Sequence, residues 1–308
     1  MVHLREAMDA KATAIILALC FLWGGNQVAI KLSNAGVAPI FGAAVRSVVA
    51  GVLVALWALA RGRSLRLRGR TLGDGLAVGA IFGFEFSLLY VGLTYTTASH
   101  SSLLLNTSPF FVALGAHRLL PGEPLMGRKV LGLVLAFGGV LTTLWDSLSA
   151  PSPQQIKGDL LVLGAGLLWA ANSLYVKVRV RDRMTPSQML FYQLAISAVL
   201  LGAVSLLFEP RLIWLRTPGV LGGMVYQAVI VAFASYLVWF WLIQVYPVSL
   251  VSAYTFFSPV FGVGLGAWLL GEPLTAKLLL GAALVAAGMI LVNWPANARA
   301  PAAPTAPA

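Results

Sequence analysis

The chain has 308 residues, 59% of them hydrophobic and only 10% charged, with a mean hydropathy of +0.87. A soluble globular domain is excluded, because its surface needs far more charge, and lipid must solvate much of this chain. The net charge of +11 does not point to nucleic acid, since the basic residues fall mainly in short breaks between apolar runs, as in the stretch from Arg61 to Arg70.

In chain order, apolar runs between Gly, Pro and charge clusters predict spans at Thr13 to Leu32, Pro39 to Ala60, Gly73 to Gly92, Ala98 to Leu119 and Arg128 to Leu144. A second set follows at Asp159 to Val178, Pro186 to Leu207, Pro218 to Ile243, Ser249 to Leu270 and Ala276 to Asn293. Each is near the ~20 residues that cross ~30 Å of hydrocarbon. The runs are unbroken rather than alternating, so they read as helices and not barrel strands. Pro39, Pro186 and Pro218 suit helix starts, where a missing N–H is no loss. The first run has the outline of a signal peptide, but a matching run in the second set argues for a retained helix. Cys20 is the single cysteine and lies inside that run, so no intrachain disulfide forms. Beyond Trp294 a Pro/Ala tail, residues 295–308, has nothing to bury and is expected to be disordered.

The chain repeats itself. Leu22-Trp23-Gly24-Gly25-Asn26 leading to Lys31 returns 146 residues later as Leu168-Trp169-Ala170-Ala171-Asn172 leading to Lys177. Asn106-Thr107-Ser108-Pro109 matches Phe256-Phe257-Ser258-Pro259, and Gly122-Glu123-Pro124-Leu125 matches Gly271-Glu272-Pro273-Leu274. The expected organisation is therefore all-α and polytopic: ten transmembrane helices in two five-helix repeats, residues 12–146 and 158–293. Duplication across a bilayer is a common plan of transporters.

Lys and Arg set the orientation. With the N-terminus inside, 15 of the 21 fall on the cytoplasmic side and 5 outside, with Arg46 at membrane depth. Both termini are then cytoplasmic, and five spans per half invert the second repeat relative to the first. Exchange of conformations between inverted halves gives alternating access.

At ~1.5 Å per residue, Asn26, Arg46, Glu85 and Asn106 fall roughly 9 to 12 Å below the outer surface. An intramembrane charge is costly and normally faces an interior cavity. Arg46 is suited to a carboxylate, and Glu85 to an ammonium or a proton; the bland alternative is a permanent Arg46–Glu85 ion pair tying two spans together. The second half places Asn172, Gln193, Tyr236 and Tyr254 nearer the cytoplasmic face, among Trp239, Trp241, Phe256 and Phe257. These eight polar residues are the expected substrate pathway. Pro109 and Pro259 lie inside the fourth and ninth spans and are expected to kink them. Glu123 and Glu272, each followed by proline, read as local caps that start the next helix.

The Trp23-Gly24-Gly25-Asn26 start, the Asn106 to Pro109 stretch and the repeated Gly-Glu-Pro-Leu turns resemble the drug/metabolite transporter superfamily, in particular its EamA type. The likeness covers about Ala12 to Val292. The resemblance implies a multi-pass permease of the bacterial inner membrane, often an exporter of amino acids or related metabolites, with nucleoside or sugar uptake and exchange as the alternative. The chain departs from a strict repeat where Gly24-Gly25 becomes Ala170-Ala171.

No G-x-x-x-x-G-K-S/T loop is present, which favours a secondary carrier driven by a proton or substrate gradient, with Glu85 as the proton-carrying candidate and a channel or intramembrane enzyme as the other classes to weigh. An enzyme would need a nucleophile and base or a metal cluster; there is no His-Glu-x-x-His, and His100 and His117 fall near span ends on opposite sides. No cofactor or metal is expected. The expected partners are a small-molecule substrate and membrane lipid, no nucleic acid, and a ten-span carrier is complete as a monomer.

Overall fold

The computed structural model describes residues 9–119, 127–148, 154–180, 183–246 and 254–293. Among them the architecture is helical, with one isolated bridge between Val37 and Ile213. The tail and the Gly122 to Leu125 turn lie outside the described residues.

In the first half α1 (Ala10–Asn34), α2 (Pro39–Ala60) and α3 (Arg70–Tyr95) are long helices. Two shorter ones follow, α4 (Ala98–Leu105) and α5 (Ser108–Leu119), and then α6 (Gly127–Leu148). The second half opens with α7 (Gln155–Tyr175), which runs on as a π-helical turn to Val180, and α8 (Pro186–Phe208). Next, α9 (Pro218–Val225), a π-helical stretch (Tyr226–Ser235) and α10 (Tyr236–Val245) form one rod. A 3-10 turn (Tyr254–Phe256) leads into α11 (Phe257–Leu270), and α12 (Ala276–Asn293) closes the set.

Local chemistry explains these starts. Pro39, Pro186 and Pro218 each stand in a first turn. Asp9, Thr97, Thr185 and Thr217 cap their helices through side-chain oxygens, and Thr185 with Gln188 completes a capping box.

Six helices among the described residues are individually long and apolar enough to cross a membrane. Val130–Asp146, Phe257–Leu270 and Ala276–Leu291 are apolar but shorter, and the fourth stretch is interrupted at Asn106 and Thr107. Large apolar side chains point outward, among them Leu207 at 77% and Trp268 at 77% exposure. Such a surface suits hydrocarbon and not water. The protein is an all-α, polytopic membrane protein.

Packing between the halves follows a pattern that survives their exchange. Helix α2 packs on α8, α6 on α12 and α4 on α11. The contact of α3 with α7 is matched by α1 against α9 and the π-helical stretch, and α5 with α4 on α7 by α11 on α1. The tightest approaches use glycine. A Cβ on Gly24 would lie 2.7 Å from the Gly262 nitrogen, and one on Gly139 would lie 2.7 Å from the Gly281 carbonyl oxygen. Small residues let backbones meet where lipid supplies no hydrophobic drive between helices.

Candidate substrate site and family

Arg46 projects from α2 into the interior and is 0% exposed. Its Cζ lies 4.0 Å from the Phe86 ring centroid and 5.9 Å from that of Phe82, both on α3. None of its three guanidinium nitrogens has a hydrogen-bond partner among the described residues. Glu85, beside Phe86, is also buried and is coupled to Arg46 by charge, but the two are not in ion-pair contact. Tyr236, the first residue of α10, approaches the guanidinium without meeting hydrogen-bond geometry and also feels the Glu85 charge. The permanent ion pair that the sequence allowed is therefore not made.

Energetically this is an unusual resting place for a cation. Removing a guanidinium from water costs several kcal/mol. A desolvated cation–π contact offsets about 2 kcal/mol of that. The remaining donors form a planar fork shaped for two oxygens of a carboxylate. Phe82 and Phe86, whose centroids are 4.5 Å apart, form an apolar wall beside it.

The other candidates are placed less compactly. Asn26 and Asn172 are buried, each with an unpartnered side-chain oxygen, and the neighbouring Gln27 has another. Gln193 is half-buried on α8. Tyr254 is half-buried, and its carbonyl accepts a hydrogen bond from Cys20 Sγ at 3.3 Å. Asn106 caps α4 and donates to the Ser102 carbonyl at 2.7 Å, a local role at a helix end. None of these hydrogen-bonds to the Arg46, Glu85 and Tyr236 group. An aromatic cluster does gather toward the other end, with Trp23 and Trp239 edge-to-face at 5.3 Å and Phe257 beside them; the Phe256 side chain lies outside the described residues.

Pro109 stands in the first turn of α5, just after the interruption at Asn106 and Thr107, and Pro259 stands in the first turn of α11, directly after the 3-10 turn; the part of the ninth stretch before Tyr254 lies outside the described residues. In a first turn the missing N–H leaves no carbonyl of that helix unpaired. Glu272 differs from its local reading. Its carboxylate accepts from the Ala98 and Ser99 amides at 2.7 and 2.8 Å and from Ser99 Oγ at 2.6 Å, so it caps α4 in the opposite half. A carboxylate at a helix N-terminus meets both unpaired N–H groups and the positive end of the dipole.

Two polar groups were missed from the sequence. Gln227, 0% exposed, accepts from the Tyr90 hydroxyl and donates to the Ala29 carbonyl and to Ser33 Oγ, both at 3.0 Å. His100 bridges two carboxylates, Asp159 from Nδ1 at 3.0 Å and Asp146 from Nε2 at 3.2 Å. The signal was available for the second: His100, Asp146 and Asp159 all fall at the same end of consecutive spans.

A polytopic helical protein with buried, unpartnered polar groups between two like halves is a membrane carrier by class. The model of the EamA-like transporter family matches residues 10–145 and again 156–294, and the chain belongs to that family. It is a secondary-active transporter of small metabolites and not an enzyme. The chain is 30% identical over 294 residues to the uncharacterized transporter YvbV of Bacillus subtilis, covering 94% of each protein. It is 28% identical to a probable amino-acid metabolite efflux pump of Escherichia coli, covering 92% of this chain and 95% of that one. A solved structure described only as the crystal structure of a protein superposes with a TM-score of 0.64, covering 92% of this chain and 98% of that one at 22% identity. At that identity the likeness speaks for the fold.

Proposed function

We propose that the protein exports amino acids or related carboxylated metabolites from the bacterial cytoplasm, working as a monomer surrounded by lipid. The carrying observation is Arg46, fully buried with every guanidinium nitrogen unpartnered. The name of the similar Escherichia coli protein supports the same substrate class. Arg46 takes the substrate carboxylate, Glu85 and Tyr236 face it, and Phe82 and Phe86 line the apolar side. Asn26, Asn172, Gln193 and Tyr254 belong to the path leading to and from this point.

The proposed architecture is ten spans in two inverted five-helix repeats, with both termini cytoplasmic. The exchange-invariant packing of the halves and the 15-to-5 distribution of Lys and Arg support it. Alternating access then follows from the halves trading conformations.

Glu85 carries the coupling proton in this reading. Counterflow in proteoliposomes loaded with a panel of amino acids tests it, because only a carrier is stimulated by substrate on the opposite side. Saturable exchange of carboxylated substrates is expected, and Glu85→Gln should change its pH profile. Exchange of neutral nucleosides or sugars alone would place the substrate in the other class, and an unchanged pH profile in Glu85→Gln would take the proton away from Glu85.

A further inference from the structure

The substrate site does not use the ionisable group nearer the ends of the same spans. His100 is 3% exposed on α4, Asp159 is 0% exposed on α7, and Asp146 is 8% exposed on α6. Both imidazole nitrogens are engaged by carboxylates. The second oxygen of Asp159 accepts from Thr96 Oγ1, at the end of α3. The Asp146 oxygen that meets the ring also accepts from Thr275 Oγ1 at 2.6 Å, just before α12. Lys31 of α1 donates to the Thr96 carbonyl, and Glu272 lies one turn away on the Ala98 and Ser99 amides. Lys157 and Lys277 stand at the same end over the rings of Tyr95 and Trp145, while α11, packed on α4, has no ionisable side chain. The cluster thus joins elements of the first half to α7 and to the segment before α12 of the second.

The hydrogen count decides its chemistry. A neutral imidazole has one N–H and can donate to one carboxylate; the imidazolium donates to both. With the proton in place, one cation sits between two carboxylates. When it leaves, one donor is gone and two buried negative charges face each other across the seam, which is strongly unfavourable in a low-dielectric interior. The sequence register gives this cluster no counterpart in the other half. The register that pairs Pro109 with Pro259 pairs His100 with Leu250, and the register that pairs Asn26 with Asn172 pairs Asp159 with Thr13.

We propose that His100, with Asp146 and Asp159, is a proton-binding site that latches the outer ends of the two halves when it holds a proton and releases them when the proton leaves to the outer solvent. Acid outside holds the carrier shut on that face, and rising external pH frees it to open. The word outer rests on the orientation proposed above, whereas the latch itself rests on the bonds just described.

The test is a distance measurement on the full chain in lipid nanodiscs, where both faces see one pH and orientation is immaterial. Spin labels are placed at Thr94→Cys and Leu274→Cys in a Cys20→Ala background. Thr94 is exposed two residues before Thr96, and Leu274 is exposed beside Thr275. Double electron–electron resonance is recorded from about pH 5 to about pH 9, the range in which an imidazole changes charge. A single short distance is expected at the acid end, with a longer population growing at least about fivefold toward the alkaline end as the imidazole empties. His100→Gln should flatten the response and Glu85→Gln should keep it. Asp146→Asn, which keeps the imidazole, should move the midpoint to lower pH. A wild-type distribution that ignores pH, a response retained in His100→Gln, or a midpoint unmoved in Asp146→Asn would each overturn the latch.

Discussion

Replacing Arg46 with glutamine is expected to lower exchange of carboxylated amino acids in proteoliposomes by about 100-fold while leaving the melting temperature unchanged or higher. The loss follows from two charge-assisted hydrogen bonds, each worth about 1.5–3 kcal/mol, so that losing even one reaches roughly ten- to a hundredfold. The stability result is the more discriminating half. A structural ion pair would destabilise the fold when broken, by about 3–5 kcal/mol. Arg46 makes no such pair, and its removal relieves a buried charge that no direct hydrogen bond offsets, only the Phe86 and Phe82 rings and the Glu85 charge beyond contact distance. Arg46→Lys keeps the charge but loses the planar fork, so it should recover little of the transport. Exchange rates and thermal melts of the three proteins, measured side by side, check the pattern. A collapse of thermal stability in Arg46→Gln would make the residue a tie between helices and not a ligand.

Gly262→Val is expected to prevent stable folding, at a cost of about 3 kcal/mol or more, the upper end for overpacking. A Cβ at Gly262 would fall 1.9 Å from Ser102 Oγ and 2.4 Å from Ser102 Cβ, on α4. The same seam brings the Gly262 nitrogen and the Ser258 carbonyl to 2.7 and 2.8 Å from a Cβ on Gly24. Here α1 and α11 meet backbone to backbone and the Ser102 Cβ of α4, fixed to its own backbone, closes the remaining space, so a valine has no room. Gly264, two residues on, has nothing within 4 Å of its Cβ position and supplies the control. Gly264→Ala should elute and melt as wild type in size-exclusion and thermal assays, whereas Gly262→Val should aggregate. The duplicated position shows why symmetry does not rescue the seam: Ala170 replaces Gly24 there and is accommodated while buried.

The sequence showed the long helices well, because α1, α2, α3, α7 and α8 coincide with unbroken apolar runs opened or closed by proline and charge. It also set Arg46 and Glu85 at a common depth, and the fold brings them into the same neighbourhood. Depth is one coordinate of three, however. Which way a side chain faces, and which helix lies there, depends on contacts between residues far apart in the chain. That is why the Arg46 stack on Phe86 and the reach of Glu272 to α4 were not legible, and why the common end of His100, Asp146 and Asp159 could be read from the spans but not the bridge itself. The division of the fourth stretch at Asn106 was equally hidden, since Pro109 reads alike in a kink and in a first turn. The π-helical stretch from Tyr226 to Ser235 has no signature in its apolar pattern.

The head-to-tail arrangement of the two halves underlies both the alternating access and the outer latch, and labelling of two introduced cysteines tests it most directly. Gly127, exposed at the start of α6, and Leu274, exposed before α12, are replaced singly by cysteine in a Cys20→Ala background. A membrane-impermeant maleimide added to intact cells should label Leu274→Cys alone, and Gly127→Cys only after the membrane is opened. Labelling of both from the same side would contradict the inverted halves.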